Sequence, residues 1–398
     1  MKTVALTMSL SMLALATPAL AQTPSATTKV TVPPQTLWLQ VQRDQKFIPP
    51  EGPPAQIIAV NPYLTPDNFF FATVTEMACA PEGSVLVSGE AWNRGNYTNV
   101  GWWRIMPDGA IAALPYRTTA NDSTKAPLAY RFSLTPDGSF VTSGRQMIYR
   151  VRNGTTQFIA GQNEVTGFRD GVRGAALFKD TDSPIEDDAG NIWISDQGGC
   201  ALRKISPGGV VTTLIGPDRS TCGSEAPVEE RITLGSIAWD NVNKEIVAAG
   251  STIVGKPRHD MHVMVWRIRP DGQARRVYYT LKNGRSPVGQ NMDHIWAVAV
   301  DPKGRVTVAT RQMGGRARRQ MMRLDEATAR LVPLTGQSLT ADHMRPGHEE
   351  APYDGPAARA NFREAKSMCY APDGTLYVLD EHLVRRLGTD GAVRTWAY

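Results

Sequence analysis

The stretch DAGNIWISDQGGCALRKISPGGVVTTLIG, residues 188–216, alternates turn signals with short runs of strand-forming residues. Turn-forming residues cluster at 188–191 (Asp-Ala-Gly-Asn), 197–199 (Gln-Gly-Gly) and 207–209 (Pro-Gly-Gly), and the run that follows each cluster contains Ile, Leu, Val or Thr. Such runs, bounded by Gly, indicate antiparallel strands joined by tight turns, because Gly supplies the positive φ that these turns need. With one more strand before residue 188, four strands follow one another within about fifty residues, which predicts one blade of a β-propeller.

The same turn recurs along the chain. Aligned on it are Gly83, Gly138, Gly190, Asn243, Gly304 and Gly374, so that successive intervals are 55, 52, 53, 61 and 70 residues. Each interval has room for four short strands, and a ring of such units grows by repetition into one large domain. The sequence therefore predicts an all-β fold, a six-bladed β-propeller of four-stranded antiparallel blades.

Two segments carry a longer motif. Asp170 and Gly171 precede Phe178 in the pattern D-G-x-x-x-x-A-x-F, and Asp354 and Gly355 precede Phe362 in the same pattern. Together with the strand-turn-strand runs that follow, this motif resembles the NHL repeat, a blade unit of bacterial and animal propellers. The resemblance implies the fold and leaves the function open, since one fold hosts many activities.

The first residues are typical of an export signal. Lys2 precedes an apolar stretch from Val4 to Leu15, and Ala19-Leu20-Ala21 before Gln22 fits a cleavage site for small residues. The apolar stretch is shorter than the roughly 20 residues of a spanning helix, although an uncleaved anchor remains the alternative. We therefore expect a signal peptide at 1–21, a Pro- and Thr-rich extension at 22–55, and the propeller at 56–398, in a periplasmic or secreted protein with no membrane span.

Charge and composition narrow the partners. The formal net charge of +5 is small for 398 residues, and 41% of the chain is hydrophobic. Such a mild excess supports solubility and does not predict nucleic-acid binding. The chain is expected to be a monomer.

The polar residues before each aligned turn form the candidate site. In a propeller, the first strand of every blade lines the central channel, so residues seven or eight positions before the turn are expected near its mouth. The candidate ligand-binding residues chosen on this basis, or lying close to these rows, are Glu76, Tyr130, Arg131, Asp182, Asp293, His294, Trp296 and Lys366.

Two functions fit these residues. The first is a binding or scaffold module that holds a protein, peptide or glycan through one rim and needs no cofactor. The alternative is a Ca²⁺-dependent lactonase-like hydrolase or lyase, by resemblance in architecture to gluconolactonase-like six-bladed enzymes. Glu76, Asp182 and Asp293 would then be the oxygen ligands, with His294 as a base. Arg131 and Lys366 oppose a divalent cation, and whether the chain is an enzyme stays open at this stage.

Four cysteines and one recurring Arg raise further questions. An exported chain can form disulfides, and a Cys200–Cys222 bridge is the favoured pairing, because Cys200 precedes the third strand of blade three, Cys222 follows its fourth, and both could reach one rim. A Cys79–Cys369 bridge is the alternative if the first and last blades meet.

The third strands carry Arg104, Arg150, Arg203, Arg267, Arg323 and Arg385. These indicate either a basic ring or, as favoured, side chains that reach water at the rim.

The sequence does not decide between two ways of closing the ring. Either the two ends of the propeller simply abut, or residues 56–60 pair with the outer edge of a blade.

Overall fold

The computed structural model describes residues 29–31, 56–58, 70–93, 96–108, 111–113, 131–135, 137–144, 146–152, 155–197, 201–216, 232, 234–254, 260–280, 292–312, 318–336, 354–360, 362, 364–381 and 383–397. The expected signal peptide at 1–21 lies outside this part of the chain, as do most of residues 22–55. Among the described residues, no helix is both long and apolar enough to cross a membrane.

The first three blades contain strands β1 to β15. Blade one consists of β1 Lys29–Thr31, β2 Gln56–Ile58, β3 Phe70–Cys79, β4 Val85–Asn93, β5 Asn96–Ile105 and β6 Ile111–Ala113. Blade two consists of β7 Arg131–Leu134, β8 Phe140–Gly144, β9 Met147–Arg152 and β10 Thr155–Gly161. Blade three consists of β11 Gly171–Val172, β12 Thr181–Glu186, β13 Ile192–Asp196, β14 Ala201–Ile205 and β15 Val210–Ile215.

The last three blades contain strands β16 to β28. Blade four consists of β16 Ser236–Asp240, β17 Glu245–Val254, β18 Asp260–Ile268 and β19 Ala274–Tyr279. Blade five consists of β20 Met292–Val300, β21 Val306–Gln312, β22 Arg318–Asp325 and β23 Arg330–Pro333. Blade six consists of β24 Gly355–Pro356, β25 Ser367–Tyr370, β26 Leu376–Asp380, β27 Leu383–Leu387 and β28 Ala392–Ala397.

Every blade has a four-stranded antiparallel meander as its core. Three blades carry additions at their outer edges: β11 on blade three, β24 on blade six, and β1 and β2 on blade one. Strands β11 and β24 belong to the two D-G motifs, and each leads into a short 3₁₀ turn, Arg173–Ala175 or Ala357–Arg359. The motif therefore covers an outer edge that would otherwise expose unpaired backbone groups.

The blades form a closed ring. The inner strands contact one another in the order β3, β7, β12, β16, β20 and β25, and β25 returns to β3. Most of the described buried apolar residues fall into six clusters, one between each pair of neighbouring blades. Trp193, for example, is fully buried between blades three and four. The six-bladed propeller predicted from the sequence is confirmed, and the ring buries most of the apolar residues that the described strands contain.

The aligned turns explain why the repeat is visible in the sequence. The Gly at the turn has a positive φ in five of the six blades, for example +76° at Gly190 and +87° at Gly374. In blade four the left-handed residue is Lys244 with φ +55° rather than Asn243, because this turn is one residue longer.

The amino-terminal end joins blade one from outside. Strand β2 pairs in parallel with β6, so Ile57 lies opposite Ile111. Strand β1 then pairs with β2 and forms the outermost edge. Of the two closures left open by the sequence, residues 56–58 thus take the one that adds to a blade.

The recurring Arg residues form two sets rather than one row. Arg203 pairs with Ile194, the third residue of β13, whereas Arg150 pairs with Val141, the second residue of β8. Because side chains alternate across a strand, a one-residue offset directs the two sets to opposite faces. Arg203 and Arg385 are fully buried in ion pairs and Arg267 is only 3% exposed in its pair with Asp240, so the expectation that they reach water is wrong for these three.

One disulfide is present in the described part of the chain. It joins Cys79 of β3 to Cys369 of β25, with 5.5 Å between the two Cα atoms. This confirms the alternative pairing. The favoured pair, Cys200 and Cys222, lies outside the described residues.

Candidate functional site

The inner strands enclose a cavity of about 490 Å³ on the axis of the ring. All six of them contribute to its wall, from β3 with Glu76 to β25 with Ser367. The polar residues predicted from the aligned turns gather at one end, which we call the mouth and define by Glu76, Arg131, Asp182 and Ser367. This volume is within the usual range of small-ligand sites, about 300–1,000 Å³.

Arg131 is the centre of the mouth. Its Nη1 lies 2.9 Å from Oε2 of Glu76 in blade one, and its Nε lies 2.8 Å from Oδ1 of Asp182 in blade three. The guanidinium in blade two thus joins the blades on both sides of it. The Arg131 side chain is nevertheless 37% exposed and lines the cavity.

Glu76 is the most enclosed charge at the mouth. Its Oε1 accepts hydrogen bonds from Ser367 Oγ and from the Met77 backbone N–H, while Oε2 accepts from Arg131. Burial raises the pKa of the Glu76 carboxyl, although the nearby Arg131 charge and the hydrogen bonds oppose that shift. Burial likewise works against the charge of Arg131, but Glu76 and Asp182 outweigh it and raise the Arg131 pKa.

Polar contacts continue from blade to blade around the ring. Gln197 Nε2 donates to Asp182 Oδ2 at 2.7 Å and to the carbonyl of Gly235 in blade four at 2.9 Å. The Val298 N–H of blade five then donates to Ser236 Oγ of blade four at 3.3 Å. These contacts extend the Ser367, Glu76, Arg131 and Asp182 series, so hydrogen bonds link all six blades near the mouth.

An aromatic and basic group lies beside this network. The Trp296 ring lines the cavity, and the His294 ring is 4.5 Å from it between centroids. The Arg319 guanidinium lies 4.9 Å from the Trp296 centroid, a cation–π distance. Lys366 also lines the cavity and forms an ion pair with Glu364 at 2.7 Å.

The structure brings together three of the eight candidate residues in direct contact, namely Glu76, Arg131 and Asp182. Trp296 and Lys366 share their cavity, and His294 contacts Trp296. Tyr130 lies outside the described residues, and the Asp293 side chain does too, although its backbone belongs to β20. The candidate set omitted Gln197, because it follows β13 and not an inner strand. It also omitted Ser367, although Ser367 belongs to the aligned row seven positions before the turns.

The described residues do not fit a calcium ion at the mouth. Two of the three ligands expected for it, Glu76 and Asp182, are each bonded to Arg131, whose charge takes the place of a cation between them. Within the described part of the chain, no group of three or more His, Cys, Asp or Glu residues is arranged to hold a metal. The arrangement can present hydrogen-bond donors and acceptors, whereas strong binding of Ca²⁺ requires several free oxygens.

Comparisons with known proteins add little beyond the architecture. No protein-family model matches the chain, and no curated protein matches it. It is similar to a solved structure of unknown function from Bacteroides thetaiotaomicron, with 13% identity, 84% of this chain and 71% of that chain covered, and a TM-score of 0.49.

Two other solved structures are similar at the same level. Virginiamycin B lyase from Staphylococcus aureus has 12% identity over 83% of this chain and 87% of that chain, with a TM-score of 0.44. A putative gluconolactonase has 13% identity over 82% of this chain and 90% of that chain, with the same TM-score of 0.44. Similarity this low says nothing of function, which has to be inferred from the residues of the chain itself.

Proposed function

We propose that the chain is an exported binding protein of the NHL-repeat type, and that the mouth of its central cavity holds the end of a peptide or glycan. The organisation that goes with this proposal is a signal peptide at 1–21, an extension at 22–55 and a propeller at 56–398, in a periplasmic or secreted monomer. The disulfide between Cys79 and Cys369 supports an oxidising location, since stable disulfides are rare in the cytosol.

The carrying observation is the position of Arg131 between carboxylates from the two neighbouring blades. Glu76 and Asp182 hold the guanidinium by Nη1 and Nε, so its orientation is fixed before any ligand arrives. Donors fixed in advance bind with a smaller loss of conformational entropy. The exposed part of the Arg131 guanidinium is therefore oriented in advance to donate a hydrogen bond to an oxygen of a ligand.

The surroundings favour a polar ligand with some apolar surface. Trp296 supplies a large ring in the same cavity, and aromatic and Arg side chains are the usual anchors of binding sites. Lys366 adds a second cation, 40% exposed, that can reach a ligand oxygen. A peptide carboxylate and the oxygens of a glycan both offer acceptors of this kind. The cavity is large enough to admit the end of a chain and too small for a protein domain.

A calcium-dependent hydrolase or lyase would need a different mouth. Arg131 would have to leave both carboxylates before they could bind Ca²⁺, and each would lose the charge that compensates its burial. We derive no catalytic step through such an ion. The test below keeps this possibility as one of its outcomes.

The test is a screen of peptides and glycans against four forms of the protein: wild type, Arg131→Gln, Lys366→Gln and Arg152→Gln. Arg152 is the matched control, because it lies in the same blade, is 59% exposed and pairs with Asp137 away from the cavity. We expect ligands found with wild type to bind Arg152→Gln equally and to bind Arg131→Gln and Lys366→Gln about 10-fold or more weakly, as for a lost charged hydrogen bond.

Folding and metal dependence are controlled in the same experiment. Melting temperatures of all four proteins separate a lost contact from a lost fold, and Lys366→Gln changes a group that is 40% exposed if Arg131→Gln proves unstable. Binding that all three variants retain would overturn the mouth as the site. Binding or lactone hydrolysis that requires added Ca²⁺ and disappears with a chelator would favour the enzyme instead.

A further inference from the structure

One junction between blades is crossed by no connection between consecutive described strands. The chain passes from each blade to the next five times, between blades one and two through to blades five and six. Blade one contains only strands up to residue 113, and blade six contains only strands from residue 355 onward. We call the junction of blades six and one the seam. No strand is shared across it in the described chain, so backbone hydrogen bonds do not hold it.

The Cys79–Cys369 disulfide supplies a covalent link at this seam. The two residues are 290 apart in sequence, and each lies in the inner strand of its own blade. An apolar cluster that includes Met77, Tyr377 and Trp396 packs from both sides around them. The seam therefore has apolar packing like the other five junctions. The disulfide connects its two blades covalently, as the polypeptide chain does at the other junctions.

The same two strands carry the mouth across the seam. Glu76 precedes Cys79 by three residues on β3, and Ser367 precedes Cys369 by two residues on β25. Ser367 donates its hydroxyl hydrogen bond to Glu76 between the two blades. A movement of β3 relative to β25 would thus break this hydrogen bond and release Glu76, which in turn holds Arg131.

The disulfide lies where a reductant can reach it. Both cysteines are partly exposed, and both belong to the wall of the central cavity. Exposed disulfides are the ones that thiols attack most readily, and enclosed structural ones resist reduction. An external dithiol would attack one sulfur, form a mixed disulfide, and then close on itself. It leaves oxidised to its own disulfide, while Cys79 and Cys369 each gain one electron and one proton and become thiols.

We propose that this disulfide is a redox latch: its reduction by a dithiol loosens the seam and with it the arrangement of the mouth. In the oxidised protein the latch fixes β3 against β25, so Glu76 and Ser367 stay in contact and Arg131 keeps its orientation. In the reduced protein only apolar packing and side-chain hydrogen bonds hold the seam. The consequence for ligands rests on the function proposed above, but the latch itself does not.

The experiment is hydrogen–deuterium exchange of the full chain at neutral pH, before and after dithiothreitol, with mass mapping of the thiols. We expect uptake in peptides that cover β3 and β25 to rise several-fold after reduction, and uptake in β16 and β17, across the ring, to stay the same. The melting temperature should fall by about 5–10 °C, as for the loss of one long-range disulfide.

Two double variants isolate the bond. Cys79→Ser with Cys369→Ser should show the raised exchange without reductant and no further change with it. Cys200→Ser with Cys222→Ser should respond to dithiothreitol as wild type does. If thiols appear at both positions 79 and 369 while exchange in β3 and β25 is unchanged, the latch is refuted. A bond that dithiothreitol fails to reduce in the folded protein also refutes it. No ligand is present, so either result leaves the proposed function to its own test.

Discussion

Arg385 gives the sharpest prediction on what stabilises a blade. Its side chain is fully buried, with Nη1 2.9 Å from Oδ2 of Asp380 and Nη2 2.8 Å from Oδ1 of Asp354. The guanidinium also lies 4.4 Å from the centroid of the Phe362 ring. The substitution Arg385→Met keeps much of the apolar stem and removes the charge. Two enclosed carboxylates then lose their partner, which should lower the free energy of unfolding by about 3–5 kcal/mol.

The same blade offers a control of the same residue type. Arg394 pairs with Asp390 at 2.8 Å, but their side chains are 40% and 53% exposed. Water screens such a pair, so Arg394→Met should lower the free energy of unfolding by about 0–1 kcal/mol. Guanidinium unfolding followed by tryptophan fluorescence measures both variants against wild type.

A third protein tests the stated cause. If the loss in Arg385→Met comes from carboxylates without a partner, then adding Asp380→Asn to it should restore part of the lost stability. Equal losses in Arg385→Met and Arg394→Met would refute the reasoning, because burial would then make no difference. A loss in the double variant larger than in Arg385→Met alone would refute the role of the stranded carboxylate.

Three further predictions follow from single contacts. Burial raises the Glu76 pKa above 4.5, so protonated Glu76 stabilises the fold, and this contribution is lost as pH rises through the folded-state pKa. The melting temperature of Glu76→Gln minus that of wild type should therefore increase from pH 4 to pH 8. A difference that does not depend on pH would contradict this. Gly161→Ala should lower the free energy of unfolding, measured in urea, clearly more than Gly138→Ala does. Both glycines have positive φ, but a Cβ at Gly161 would lie 2.1 Å from the Gln146 carbonyl oxygen, whereas a Cβ at Gly138 would have nothing within 4 Å. Equal losses would contradict this. Trp193→Phe should cost about 1–3 kcal/mol in the same assay, because it removes a 2.9 Å hydrogen bond to a buried carboxylate, and a loss near zero would show that this bond contributes nothing.

The fold could be predicted because the turns that separate its strands are specified by local sequence. A turn that needs positive φ selects Gly, so Gly190 and its counterparts mark five of the six blades whatever the rest of the strand contains. Edge additions were less visible: β2 is three residues long and pairs in parallel with a strand more than 50 positions later. Nothing in a run of three residues specifies such a partner.

The sequence predicted which residues lie at the site only where they occupy aligned positions before the turns, and it did not predict the contacts between them. The alignment placed Glu76, Arg131 and Asp182 together, and they are in contact. It could not show that Arg131 joins the two carboxylates, since that depends on a guanidinium reaching both neighbouring blades. Gln197 was missed because it comes after the second strand of its blade and reaches the mouth by way of Asp182.

The register of the recurring Arg shows the same limit. Arg203 and Arg150 are alike in spacing from their turns to within one residue, and that one residue changes the face of the sheet. Composition cannot resolve such an offset, whereas backbone pairing does.

The central claim is that Arg131 itself occupies the place between the mouth carboxylates, so that the mouth recognises ligands rather than a metal. Calorimetric titration of the folded protein with Ca²⁺ tests this most directly. The account predicts no saturable heat up to about 1 mM, the upper end of the range of Kd values for weak extracellular calcium sites. Saturable binding that disappears in Glu76→Gln or Asp182→Asn would contradict it.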